Sequence, residues 1–172
     1  MHKQTGATVL TIEYTIFLKE FWEFLEREKA TLISGVPYTY EMLKNLHIFQ
    51  TDLPSVKTIT QFGGKLPEVL QQAYLDYAEQ KGKQFVLMYG QTEATARMAY
   101  LPVKRSREKI GSIGIAIPGG RFQLLDVNGN KITEAWSVGE LVYYGPNVAL
   151  GYATCRQEET ISEIIWETRE YG

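Results

Sequence analysis

The chain has 172 residues, 44% hydrophobic and 22% charged, with a formal net charge of -2, a balance that suits one well-cored domain and excludes a disordered, fibrous or strongly basic nucleic-acid-binding protein. Its single cysteine, Cys155, has no intramolecular disulfide partner, and with only His2 and His47 beside it no zinc constellation can be assembled. A reducing, cytoplasmic setting fits this cysteine usage, no run of apolar residues is long enough to span a membrane, and MHKQTGATVL lacks the apolar core of a signal peptide.

Leu18, Phe21, Trp22 and Leu25 recur at the spacing of one helix face while Glu20, Glu23, Glu26 and Lys29 turn elsewhere, which predicts an amphipathic helix over residues 17–30. An apolar piece from Thr31 to Val36 leads through Pro37 into a second helical pattern on Met42, Leu43 and Leu46. His47 closes it, reading as a helix-end residue because the sequence shows no catalytic partner for it. VKTITQF alternates and is rich in β-branched residues, so it reads as a strand that ends at Gly63 and Gly64. Pro67 suits a first helical turn, and Leu66, Leu70, Ala73, Tyr74 and Tyr77 trace a helix face that runs to a stop at Gly82. QFVLM follows as a strand whose continuous apolar run implies cover on both faces.

Helix and strand thus alternate over residues 1–108, which predicts an α/β layer with a mostly parallel sheet flanked by helices. If the two strands ending in Gly63-Gly64 and Tyr89-Gly90 are neighbours, both turns open on one sheet edge, where α/β sheets bind ligands. The basic cluster Lys104, Arg105, Arg107 and Lys109, interrupted by Ser106 and Glu108, reads as a solvated loop. Residues 109–152 are dense in glycine and turn pairs. Asn128-Gly129 is a strong hairpin signal, so this part reads as antiparallel β segments of a small barrel, followed by a tail over 153–172.

Several motifs can be set aside. Gly63-Gly64-Lys65 lacks the spacing of a Walker A loop, and Gly111, Gly114, Gly119 and Gly120 do not join a strand to a helix as a dinucleotide fingerprint must. No glycine-flanked nucleophile elbow and no serine, histidine and acid set is present, which argues against a hydrolase. YGQTEAT is different: it sets an aromatic, a glycine and a carboxylate at the carboxyl end of a buried strand, which suits either a strand cap or a ligand site.

In order along the chain stand LISGVPYTYEML, LPSVKTITQFGGKLP, MYGQTEAT, GSIGIAIPGG and GELVYYGPNVALGY. Together, over residues 7–152, they resemble the middle of the large N-terminal domain of an adenylate-forming enzyme, the superfamily of acyl-CoA synthetases, firefly luciferase and peptide-synthetase adenylation domains. Such enzymes join a carboxylate to ATP, release pyrophosphate, and pass the acyl group from AMP to a thiol. The resemblance implies that the backbone of Gly63, Gly64 and Lys65 lies along one face of the adenine while the ring of Tyr89 covers the other, with Gly90 and Gln91 in the same nucleotide-binding turn. It also implies that Thr92 donates to the α-phosphate and that Glu93 binds magnesium, making these two the catalytic pair. The implied partners are a carboxylic acid and either coenzyme A or a carrier protein.

By the same resemblance Gly139, Glu140, Gly145, Pro146 and Gly151 are turn and barrel residues, while Val36 and Pro37 either line an acyl pocket or pack. The family's serine- and glycine-rich phosphate loop, its Thr-Gly-Asp ribose anchor and its C-terminal domain with the catalytic lysine do not occur in these residues, and ATCRQEETISEIIWETREYG departs from the family pattern. The expectation is an internal fragment of an AMP-forming acyl-CoA synthetase, incomplete for catalysis alone and self-associating through uncovered strand edges and helix faces. A frameshift near Tyr152 would account for the tail. The alternatives are a carrier-protein-loading adenylation domain and a non-catalytic nucleotide-binding or interaction module. An unrelated methyltransferase would need a glycine-rich loop and an acidic ribose ligand that the sequence does not offer.

Overall fold

The structure, a computed structural model, describes residues 6–95, 97–149 and 151, and the strand 167–171 by its backbone. The readings of His2, Tyr152, Cys155 and most of the tail lie outside the described residues. Helix α1 is Lys19–Arg27, inside the predicted span. It ends because Lys29 turns left-handed at φ 50, with the Lys29 and Ala30 amides donating to the Glu26 and Leu25 carbonyls. Leu25 is buried, and the half-buried Trp22 indole donates to the Ile16 carbonyl at 2.9 Å.

Three strands run parallel: β1 (Leu32–Gly35), β2 (Thr58–Gln61) and β3 (Gln84–Tyr89), with Ile59 facing Ile33 on one side and Phe85 on the other. The sequence alternation of β2 does not translate into one buried face. Ile59, Thr60 and Gln61 are all buried, because β2 is central and its polar side chains find partners: the Thr60 and Ser34 hydroxyls share a 2.7 Å hydrogen bond.

Helix α2 (Pro37–Asn45) stops at His47, left-handed at φ 58. Helix α3 (Glu68–Gln80) stops at Gly82, φ 63, whose amide donates to the Glu79 carbonyl at 3.2 Å while Lys83 donates to Ala78 at 2.7 Å. Between helices and sheet lie Tyr40, Tyr74 and Phe85, all buried, with the Tyr40 ring edge-on to both others. Their polar ends are satisfied: Tyr40 donates to the Thr60 carbonyl and Tyr74 to the Tyr40 carbonyl.

The sheet continues antiparallel through β4 (Ala99–Tyr100) and β5 (Ile115–Ala116), in the order β1-β2-β3-β4-β5. The basic loop between these last strands is tied to α3, Arg107 pairing with Asp76 at 2.8 Å and with Glu79. A second, antiparallel sheet has the order β7-β6-β8-β9, from β6 (Arg121–Leu125), β7 (Lys131–Ile132), β8 (Glu140–Tyr144) and β9 (Glu167–Tyr171). The predicted hairpin joins β6 to β7, with Gly129 at φ 81 and the Asp126 carboxylate accepting from the Asn128 and Asn130 amides. Those bonds hold the Asp126 carboxyl below the usual carboxylate range. Among the described residues this sheet is open rather than closed into a barrel, and its edge strand β9 comes from the tail. No helix among the described residues is long and apolar enough to cross a membrane.

Candidate functional site

Parallel pairing of β2 with β3, Gln61 facing Leu87, brings their carboxyl ends to one edge. Beyond β2 the backbone turns through Gly63 at φ 73 and Gly64 at φ 145. A side chain is disfavoured there by conformation and crowded in space, since an added Cβ would stand 3.2 Å from Val36 Cγ1 at Gly63 and 3.2 Å from Pro37 Cγ at Gly64. Val36 and Pro37 therefore support the glycine shelf from behind. From below, the buried Gln61 amide donates to the carbonyls of Phe62 at 3.1 Å and Gly64 at 2.8 Å.

Between this shelf and the end of β3 lies a cavity of about 400 Å³, whose lining includes Gly63, Gly64, Lys65, Tyr89 and Gly90. Five of the predicted site residues are thus gathered around one space. Gln91, Thr92 and Glu93 are not in its lining; they follow directly on a short 3-10 turn, Thr92–Ala94, with Thr92 exposed and Gln91 and Glu93 half-buried. Gly111, Ser112 and Ile113 also line the cavity. The Gly111 turn is pinned by Gln71, a buried residue of α3 whose amide oxygen accepts from the Gly111 N–H at 3.0 Å while its nitrogen donates to the Leu66 carbonyl at 2.7 Å.

The Tyr89 ring leans on Phe122 of β6, centroids 6.2 Å apart, and its hydroxyl is buried with no hydrogen-bond partner among the described residues. A phenol left in that state is an uncompensated polar group. Beyond Tyr89, the turn carrying Thr92 and Glu93 is braced from the second sheet. The Asn147 amide donates to the carbonyls of Ala94 at 2.7 Å and Arg97 at 2.9 Å and accepts from the Tyr143 hydroxyl at 2.9 Å. Burial pushes the Tyr143 phenol up from its ordinary value, and the Asn147 bond partly offsets that.

Sequence reasoning did not single out Gln61, Gln71 or Asn147 as site residues. A glutamine on a strand or helix carries no periodic signal that it faces inward to serve backbone groups. Among the described residues no three His, Cys, Asp or Glu side chains gather as a metal site.

The model of the family described as "AMP-binding enzyme" matches residues 3–153. Feruloyl-CoA synthase from Amycolatopsis sp is 34% identical over 129 residues, covering 74% of this chain and 25% of that protein. The mitochondrial medium-chain acyl-CoA ligase ACSF2 of Mus musculus is 28% identical over 165 residues, covering 94% of this chain and 26% of that protein. Among solved structures, o-succinylbenzoate CoA synthetase (MenE) from Bacillus subtilis, in complex with the acyl-adenylate intermediate OSB-AMP, superposes with a TM-score of 0.75 at 24% identity, covering 99% of this chain and 34% of that one. The fold is that of an adenylate-forming enzyme, and the chain spans about a quarter of the length of the curated relatives it matches.

Proposed function

From the premise that this chain belongs to the AMP-binding enzyme family, we propose that it carries the nucleotide-facing part of a ligase that activates a carboxylic acid with ATP and transfers it to coenzyme A. The observation that carries this reading is the cavity that sets Gly63, Gly64 and Lys65 opposite Tyr89 and Gly90 at the carboxyl edge of the parallel strands. Adenine lies between the shelf and the Tyr89 ring, with Gly90 and Gln91 supplying the turn that leads to the phosphates. The Thr92 hydroxyl donates to the α-phosphate as the substrate carboxylate attacks phosphorus and pyrophosphate leaves. Glu93 holds the magnesium that offsets the phosphate charge.

The relatives named as CoA synthases and ligases support coenzyme A as the thiol acceptor, with a carrier protein as the alternative. Residues 1–108 form the nucleotide-binding layer in this reading, 109–152 the β layer closing over it, and 153–172 a tail, with further parts of the catalytic apparatus supplied outside this stretch. Exposed apolar side chains such as Tyr38 and Val69 give surfaces for self-association, and the reaction suits a cytoplasmic setting.

Calorimetric titration of the purified chain with ATP and magnesium tests the reading. Binding is expected, and Tyr89→Ala should weaken it about tenfold or more, as loss of a base-aromatic stack of about 1–3 kcal/mol dictates. Glu93→Ala should weaken ATP only when magnesium is present. A folded protein that takes up no ATP at millimolar concentration would overturn the nucleotide-binding reading and leave the family membership standing.

A further inference from the structure

The turn that presents Thr92 and Glu93 cannot hold itself. It is three residues long, and it exits through Thr95 at φ 52, a left-handed conformation that a β-branched residue enters only when its surroundings impose it. What surrounds it is the turn after β8. The Asn147 side chain donates to two carbonyls flanking Thr95, those of Ala94 and Arg97, and the Ala149 N–H donates to the Glu93 carbonyl. Carbonyls only accept, so the NH2 group must face them, which leaves the amide oxygen for the Tyr143 hydroxyl. Tyr143 is fully buried, and a methyl at Gly145 would lie 2.6 Å from its hydroxyl.

From these contacts we infer that Asn147 is a positioning residue that fixes where the Thr92 hydroxyl and the Glu93 carboxylate stand. It lines no part of the nucleotide cavity and acts only through the Ala94 and Arg97 carbonyls. The functional half of this inference rests on the nucleotide reading above; the clamp itself does not. Its consequence is that recognition separates into two parts. Adenosine, held by the shelf and Tyr89, is indifferent to Asn147, whereas the magnesium-triphosphate end depends on it.

The test uses Asn147→Asp, which keeps the size and the acceptor for Tyr143 but turns an oxygen toward two carbonyls, and Tyr143→Phe, which frees the amide at its other end. Hydrogen exchange at the Ala94, Thr95 and Arg97 amides should rise about tenfold or more in Asn147→Asp and less in Tyr143→Phe, with the β3 amides unchanged. Exchange that does not change at those three overturns the clamp, whatever the nucleotide does. In parallel titrations MgATP should bind about tenfold more weakly to Asn147→Asp while adenosine affinity is retained. Equal losses for both ligands, or full MgATP affinity alongside raised exchange, overturn the positioning role. If the unsubstituted chain binds no MgATP, the nucleotide reading falls and takes the positioning role with it, and the exchange measurement still decides the clamp. Should Asn147→Asp fail to fold, the same pattern at smaller amplitude in Tyr143→Phe carries the decision.

Discussion

Replacing Gly64 by alanine separates two demands that the shelf makes on its backbone. The first is conformational: φ is 145, a region that residues with a side chain enter at a cost of about 1–3 kcal/mol. The second is spatial. The new Cβ would stand 3.2 Å from Pro37 Cγ and 3.5 Å from its Cδ, and a proline ring at the start of α2 cannot rotate away, which adds about 1 kcal/mol. Against both, alanine narrows the unfolded ensemble by about 0.4–1 kcal/mol. The net expected loss is about 1–3.6 kcal/mol, centred near 2. Gly82 is the matched control: it is left-handed at φ 63 with nothing within 4 Å of its added Cβ, so Gly82→Ala should cost only about 1 kcal/mol. Urea unfolding followed by circular dichroism measures both. In a Pro37→Ala background the crowding is relieved, so the Gly64→Ala cost should fall by about 1 kcal/mol while the Gly82→Ala cost is unchanged. Equal costs at the two glycines, or a Gly64 cost indifferent to Pro37, would refute the seating of the shelf on the first turn of α2.

Other parts of the site and core give sharper signs than sizes. Tyr89→Phe removes a buried hydroxyl that has no partner among the described residues, so stability should hold or rise by up to about 1 kcal/mol; a clear loss in urea unfolding would reveal a partner. Gln61→Leu deletes both hydrogen bonds to the shelf carbonyls and should cost about 1–3 kcal/mol by the same measurement, whereas a neutral result would show the shelf standing without them. Burial pushes the phenols of Tyr40 and Tyr74 well above their ordinary value of 10.0. The neutral phenols therefore contribute stability that is fully present below pH 10 and lost as pH rises toward the folded values, since the unfolded tyrosines ionise first. Unfolding midpoints across that range should fall steeply in the unsubstituted protein and less so in Tyr40→Phe; identical slopes would contradict the burial of that hydroxyl.

What the sequence discloses follows from what repeats in it. The helical spacing of Phe21, Trp22 and Leu25 and the apolar run Phe85–Met88 announce α1 and β3, because burial on a regular element must recur with that element's period, while Leu18, the fourth member of the predicted face, stands exposed just before α1. Asn128-Gly129 announces its hairpin because the turn needs a left-handed residue, which Gly129 supplies at φ 81. Periodicity is silent on β5 and β9. Ile115–Ala116 joins the first sheet through a two-residue pairing with β4, and Glu167–Tyr171 joins the second by pairing with β8. Neither partner choice is encoded in the strand's own pattern.

The residues that shape the candidate site were hidden for a related reason. Gln61, Gln71 and Asn147 are amides serving irregular backbone: the shelf carbonyls, the Gly111 turn and the Ala94 and Arg97 carbonyls beside the left-handed Thr95. Backbone in turns has no ladder to satisfy it, yet once it is drawn into a packed site each N–H and C=O still requires a partner. An amide side chain is suited to the task because it donates and accepts at once, so Gln71 and Asn147 each bind two segments with one group. Asn147 does so across 53 positions from Ala94, a separation at which no local pattern can announce it. The motif residues Gly63, Gly64, Tyr89, Thr92 and Glu93 supply the chemistry proposed for this edge of the sheet. The backbone that carries them is braced by uncharged amide side chains, Gln61 at the shelf and Asn147 at the turn after Tyr89, which a reading for charge, periodicity and motif passes over.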